Sequence, residues 1–393
     1  MIVRHFLGWV RTAPAGERAE ATRALARAWL FSNMSADDVA ATEGALLLLL
    51  DDPSPLVREA MACVFAHTPD APPAIVRALA TDQASVALPV LQHSPLLIDA
   101  DLVDIVATGS TEIQGAVARR VGLPTPVCAA IAEVGSAEAC LALIDNPGAQ
   151  LAQMSLDRIV ERFGHVAIVR EQLLARHDLP ATTRLALVGK LSGALIAFVT
   201  ARNWLDTERA QIAAVEACER STVNIAATSR ADDLRALVRH LREIGQLTTG
   251  LILRALLSGN TDMFEYALAE LTGLTVARVG AIVYEQPGSG LTALLVRAGF
   301  PASTFGAFRA ALSAADEIGF VGTIDGAARL RRRMVERVLT SCAQDEQATE
   351  ALLMLLRRFE TESAREEARV FCDELIAAQA VQAAEGNDHL VAA

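Results

Sequence analysis

The chain has 393 residues, 52% of them hydrophobic but only 4% aromatic, and it carries a formal net charge of −12. A core that relies on Ala, Leu, Val and Ile favours close-packed helices, because Ala and Leu lose little side-chain freedom in a helix. Neither half of the chain is basic, which argues against general binding to nucleic acids or to anionic membranes.

The N-terminal segment predicts an amphipathic helix. Its apolar residues recur at the spacing of one helix face, and they are Ile2, Val3, Phe6, Leu7 and Val10. We expect residues 1–44 to form helices that cap the structure that follows. The alternative is that this apolar face docks on a membrane surface or on a partner.

A loose repeat occupies residues 45–200. Short polar turns, for example residues 51–58 and 81–86, separate Ala- and Leu-rich stretches, and eleven of the fourteen prolines lie between Pro53 and Pro180. Since proline is tolerated at helix starts but not in helix interiors, these prolines indicate short helices. Helix pairs repeated in tandem predict an all-α fold, a HEAT-like α-solenoid formed by a right-handed stack of short helical hairpins.

The repeat ends in the longest apolar tract of the chain, which runs from Leu185 to Thr200 and is interrupted by Lys190. This tract falls short of the roughly 20 residues that span a bilayer. We therefore interpret it as a buried helix of the solenoid and predict no transmembrane segment. The N-terminus also lacks the apolar core and the cleavage site of a signal peptide.

Prolines become rare after residue 180, so longer helices are expected in the C-terminal half. Two of them are predicted over residues 200–227 and 230–257. We expect a further helical domain after the solenoid: a helical-hairpin domain at 201–325, followed by C-terminal helices at 326–393 that end in a disordered tail.

Several segments resemble a known family. They are APPAIV (71–76), PVLQHSPLL (89–97), DLVDIV (101–106) and DMFEYAL (262–268). Together they resemble a bacterial family that is known only as a domain of unknown function with HEAT-like helical repeats. The resemblance extends over about residues 20–320. It implies an all-α repeat fold, and it implies no activity.

No recognisable catalytic motif occurs in the sequence. There is no H-E-x-x-H metal site, no G-x-S-x-G nucleophile elbow and no G-x-x-x-x-G-K-[ST] phosphate loop. The seven histidines are widely spaced, and the six cysteines contain no C-x-x-C pair, which is typical of reduced thiols in a cytosolic protein. We therefore expect no enzymatic activity, no cofactor and no metal.

The strongest basic cluster lies on a predicted helix. Arg332 and Arg333 lie three and four residues after Arg329, so all three are on one face of the helix. Guanidinium groups in this arrangement bind a phosphate or an acidic patch of a partner. In the alternative, they pair with the acid-rich helix that follows, which contains Glu360, Glu362, Glu366 and Glu367.

These patterns favour a non-enzymatic scaffold or regulatory adaptor of the bacterial cytoplasm, which binds other proteins through a helical-repeat surface. The apolar face of residues 347–381 favours packing within the domain, with homodimerisation as the alternative. A sensor of a small phosphorylated ligand is the second hypothesis. A HEAT-like nucleic-acid-binding protein or DNA glycosylase is the third, and the acidic charge speaks against it. The functional surface is expected on the solenoid, near residue 200 or on the arginine-rich helix.

Overall fold

The computed structural model describes residues 6, 8–285, 288–318, 324–345 and 348–391, without the side chains of 285, 317–318, 324–327, 329 and 378–391. All regular structure in these residues is helical, and no strand occurs among them. The predicted all-α fold is confirmed. Within the predicted N-terminal face, Ile2, Val3 and Leu7 lie outside the described residues, whereas Phe6 and Val10 are half-buried.

The chain divides into two compact units, Met1–Leu179 and Pro180–Ala393. The sequence predicts a change of pattern near residue 200. The helix that begins at Ala181 packs against the two helices that follow it and belongs to the second unit. Residues 201–325 and 326–393 both fall within this unit.

The first unit is built from short helices. In chain order they are α1 Ala15–Phe31, α2 Ala36–Leu49, α3 Pro55–Phe65, α4 Pro73–Ala80, α5 Ala84–His93, α6 Asp99–Thr108, α7 Thr111–Ala118, α8 Thr125–Val134, α9 Ala137–Ile144, α10 Gln153–Phe163 and α11 Ala167–Ala175. Helices two apart in sequence pack side by side. One row is α1, α3, α5, α7, α9 and α11, and α6, α8 and α10 belong to a second row. This two-row stacking is the architecture of an α-solenoid.

Prolines and capping residues at the helix ends set the lengths of these helices. Pro55 and Pro73 stand at the first positions of α3 and α4, where the missing N–H group has no intrahelical partner to lose. The Ser136 side chain caps α9 by accepting a hydrogen bond from the Ala139 N–H group. Most of the prolines that predicted short helices therefore lie at helix starts or in the turns, and Pro89, inside α5, is an exception.

Side chains from later repeats cap the helix ends of earlier repeats. The Arg120 guanidinium, just after α7, donates hydrogen bonds to the Leu91 and Ser94 carbonyls at the end of α5. Asn146, just after α9, donates to the Ala118 and Arg120 carbonyls at 2.8 and 2.7 Å. The corresponding contacts of the next repeats are Arg162 to Ala132 and Gly135, and Arg176 to Ile144. We call this series the capping ladder.

Arg58 connects two neighbouring turns of the solenoid. It pairs with Asp82, and it also donates a hydrogen bond to the Asp52 carbonyl. The hydrogen bonds from Arg58 hold the pKa of Asp82 below its ordinary value, although burial opposes this shift. The pair joins the turn before α3 to the turn before α5 (residues 51–54 and 81–83).

Removal of one rung of the capping ladder is expected to destabilise the solenoid. Arg162→Ala deletes two charged donors, each 2.7 Å from a helix-end carbonyl, and should lower the free energy of unfolding by about 2 kcal/mol. Urea denaturation followed by circular dichroism measures the loss. Arg77→Ala, at an exposed position on α4, is the control and should change stability by less than about 0.5 kcal/mol. Equal effects of the two variants would contradict the role of the ladder.

The second unit contains longer helices around one core. They are α12 Ala181–Ala201, α13 Thr207–Thr228, α14 Ala231–Glu243, α15 Thr249–Leu257, α16 Thr261–Thr272, α17 Val276–Glu285, α18 Ser289–Arg297, α19 Phe305–Ile318, α20 Ile324–Ala343 and α21 Glu350–Val391. A 3-10 turn, Ala302–Thr304, precedes α19. Helix α21 continues to Val391, through the tail that the sequence predicted to be disordered.

The core of the second unit is centred on α15 and α16. Helix α15 is buried along its whole length, and Phe264 of α16 stacks on Phe308 of α19. The helix predicted over 230–257 is in fact two helices, because Gly245 adopts a left-handed backbone conformation with φ of 70° and ends α14.

Candidate functional site

Helix α12 is apolar and poorly covered. It is 21 residues long with a mean hydropathy of 1.5 over its most apolar window, yet only 11% of that window is buried. The buried residues lie at its start and include Ala181, Thr183, Leu185 and Leu187. The sequence-based expectation of a buried helix is therefore wrong for its outer half, because α13 covers only one side of it.

The exposed surface of α12 carries large apolar side chains in a regular order. Leu191, Leu195 and Phe198 follow the spacing i, i+4 and i+7, so they form one stripe. The exposed fractions of Leu195 and Phe198 are 53% and 45%. Helix α13 adds the exposed Ile212 and Val215 in its first half, which follows the turn after α12. We call this outer part of α12 and α13 the exposed hairpin.

Aromatic residues stand at the tip of the exposed hairpin. Trp204 is 65% exposed, and its ring meets the Phe198 ring edge-on with centroids 5.7 Å apart. The Arg202 guanidinium lies over the Phe198 ring, 3.7 Å from its centroid, and 5.7 Å from that of Trp204. These cation–π and edge-to-face contacts fix the side chains in place while they remain accessible.

By length and composition alone, α12 is a candidate membrane span within the described part of the chain. Helices α16 and α17 pass the same test only as a pair, and they are bent by 113° at the break between them. The start of α13, which packs along α12, is polar, with exposed Glu208, Arg209 and Gln211. Placing these groups in hydrocarbon is costly.

The arginine cluster predicted from the sequence is only partly available to bind a phosphate or a partner, because one of its guanidinium groups forms ion pairs within the chain. The Arg332 guanidinium contacts Glu336 at 2.7 Å and Glu367 at 2.8 Å. Arg333 is exposed, and the side chain of Arg329 lies outside the described residues. For Arg332, this is the alternative considered above, in which the arginines pair with the acid-rich helix, now α21.

A different arginine is the centre of a buried ionic network. Arg254 lies in the middle of α15 and is only 5% exposed. Its Nη1 atom donates to Glu362 of α21, its Nε atom lies 3.4 Å from Glu219 of α13, and its guanidinium is 4.2 Å from the centroid of the Phe359 ring. Burial raises the pKa of Glu219 above its ordinary value, although Arg254 opposes this shift.

A narrow cleft opens beside Arg254. Helices α13, α15, α20 and α21 form its walls, and its polar lining includes Arg220, Arg254, Arg331, Glu362 and Glu366. Arg331 pairs with Glu366 through Nη1 at 3.2 Å. We call this site the arginine cleft.

A larger cavity of about 560 Å³ lies between α16, α17, α18 and α19. Its walls combine apolar side chains such as Val283 and Leu291 with the polar groups of Tyr284 and Arg309. Burial and the neighbouring Glu265 carboxylate raise the pKa of Tyr284 to about 12, so this phenol stays protonated at neutral pH.

Two histidines meet in the first unit. The rings of His67 and His93, just after α3 and at the end of α5, have centroids 4.3 Å apart. Desolvation, with help from His67 and Arg120, lowers the pKa of His93. Within the residues described, no three His, Cys, Asp or Glu side chains gather in a way that could hold a metal ion.

Sequence reasoning missed the two main features of the second unit. Arg254 stands in the apolar run LILRALL (251–257), and a charged residue inside such a run signals a paired buried group. The sequence signal for the exposed hairpin is that α12 is apolar on most of its sides. A helix of this kind is normally buried, in the protein itself or in a larger assembly. The sequence analysis expected a functional surface near residue 200, and the residues there form the tip of this hairpin.

Comparison with known proteins gives one match. A family model described as "Uncharacterised protein conserved in bacteria (DUF2336)" matches residues 86–348. No curated protein and no solved structure matches the chain. The match covers parts of both units.

Proposed function

The chain belongs to the bacterial DUF2336 family, and we propose that it is a non-enzymatic scaffold or adaptor that binds another protein through helix α12. The observation that carries this proposal is the apolar stripe of α12, in which Leu191, Leu195 and Phe198 are 37%, 53% and 45% exposed. Contiguous exposed apolar surface is rare on soluble monomers and marks interaction sites.

The spacing of the stripe indicates the type of partner. Leu191, Leu195 and Phe198 are placed as the anchors of a helix that lies in an apolar groove. The partner is therefore a protein that presents such a groove, lined by apolar side chains. Trp204 extends the contact at one end, and exposed tryptophans are enriched among residues that dominate binding energy.

Two further observations support a protein partner in a reducing compartment. The polar start of α13 lies along α12 and disfavours insertion of the hairpin into a bilayer. All six cysteines are free thiols, as in most cytosolic proteins. Both observations support our proposal that the contact forms in the bacterial cytoplasm.

The test is a variant with Leu195→Asp and Phe198→Asp. A photo-crosslinking residue at position 191 first captures the partner in cells, and titration of the purified pair then gives the affinity. The double variant should weaken binding by at least about 100-fold, or about 2.7 kcal/mol. Its melting temperature should stay within a few degrees of the original, because both side chains are exposed.

Val121→Asp is the matched control, since Val121 is an apolar residue in the first unit that is 95% exposed. It should leave the affinity unchanged. Partner binding that survives the double variant would refute the role of α12. A dimer that the double variant dissociates, with no second protein crosslinked, would identify the stripe as a self-association surface and would also refute the adaptor function.

A further inference from the structure

The buried guanidinium of Arg254 is only partly satisfied. Its Nε and Nη2 atoms are both shielded from solvent and have no hydrogen-bond partner among the described residues. The Nε atom is near Glu219, but not in hydrogen-bond geometry. Buried donors without a partner are rare in folded proteins, and each one calls for a physical explanation.

A second arginine shows the same property in the same place. The Nε atom of Arg331 is buried and has no hydrogen-bond partner among the described residues. Both side chains line the arginine cleft, together with Arg220 and the side chains of Asn224, Ser258 and Ser363. Beside the paired carboxylates of Glu362 and Glu366, the cleft therefore gathers unsatisfied cationic N–H donors and neutral hydrogen-bonding groups.

The existing ion pairs leave these donors available. Arg254 uses Nη1 for Glu362 and its Nε atom lies 3.4 Å from Glu219, whereas Arg331 uses Nη1 for Glu366. An anion that accepts from Nη2 of Arg254 and from Nε of Arg331 breaks none of these pairs. Burial raises the pKa of Glu219 above its ordinary value, although Arg254 opposes this shift.

We propose that the arginine cleft binds a small tetrahedral oxyanion, with phosphate as the chemical class. Guanidinium groups match phosphate oxygens in geometry and charge. The space left for solvent-sized molecules is about 30 Å³, which is roughly two to three times the 10–15 Å³ that one water requires. This space is too small for a nucleotide, so the proposed ligand is a free oxyanion or a terminal phosphate group. This site is independent of the protein contact at α12.

The test measures the melting temperature and the calorimetric affinity of the full chain for inorganic phosphate, against sodium chloride at equal ionic strength. Binding to the native state raises the melting temperature. Arg331→Gln should weaken phosphate binding by about tenfold or more, since it removes a charged donor. Arg333→Gln is the control, because Arg333 is exposed on the same helix, and it should leave the affinity unchanged.

A further variant separates anion binding from a purely structural role. Glu366→Gln removes the carboxylate that competes for Arg331, so phosphate should bind about three- to tenfold more tightly. O-phosphoserine in a parallel titration distinguishes a phosphate ester from free phosphate as the preferred source. A phosphate response no larger than that of chloride, or one that is insensitive to Arg331→Gln, would overturn the proposal.

Discussion

Replacement of Phe308 by alanine is expected to lower the free energy of unfolding of the second unit by about 3–5 kcal/mol. Phe308 is fully buried, and its ring centroid lies 5.8 Å from that of Phe264 and 5.2 Å from that of Phe300. The truncation removes contacts with both rings and leaves a cavity, which close-packed helices fill only in part. Hydrogen exchange of amides in α16 and α19 of the full chain measures the loss.

Phe371→Ala is the control for this experiment. Phe371 lies on α21 in the same unit and is half exposed, so its truncation should change the exchange free energies by less than about 0.5 kcal/mol. If the two variants were equally stable, the stacked phenylalanines would not be the centre of the core.

Arg254→Met is expected to destabilise the second unit by about 3–5 kcal/mol. Methionine preserves much of the volume, but it leaves the Glu219 and Glu362 carboxylates without their buried cation. An uncompensated charge in a low-dielectric setting is costly, whereas the intact pair contributes little net stability. Urea denaturation of the full chain, followed by circular dichroism, gives the change in midpoint.

The double variant Arg254→Met with Glu362→Gln tests this explanation. Removal of the stranded carboxylate should restore about 1–3 kcal/mol of the loss, because residues in contact are coupled. A single-variant cost below about 1 kcal/mol, or a double variant that is no more stable than the single one, would show that Arg254 does not hold α21 to α13 and α15.

Periodicity and proline placement predicted the fold well. The turns around Asp52 and Asp82 lie between helices as expected, and Pro55 and Pro73 begin helices. The exposure of α12 could not be predicted, because an apolar helix has the same composition whether it is covered or exposed. Only its neighbours decide that, and for α12 the neighbours leave most of it uncovered.

The site was less predictable, because its chemistry depends on pairs that are distant in sequence. Arg254 meets Glu362 across 108 positions, and spacing rules reach only three or four residues along a helix. The density of positive charge on the helix of Arg329, Arg332 and Arg333 predicted a binding cluster there. Their neighbour Arg331 is the residue that lines the cleft, because it points to a different side of α20.

The capping ladder gives the solenoid a direction. Every donor described, from Arg120 to Arg176, follows in sequence the carbonyls that it caps. Unfolding of the repeats nearest residue 179 therefore removes the hydrogen-bond donors of helix-end carbonyls in the repeats before them. Unfolding of the first repeats instead exposes guanidinium groups, which water solvates readily. Fraying is consequently asymmetric. A chain that emerges from the ribosome cannot complete a repeat until the following one has been synthesised.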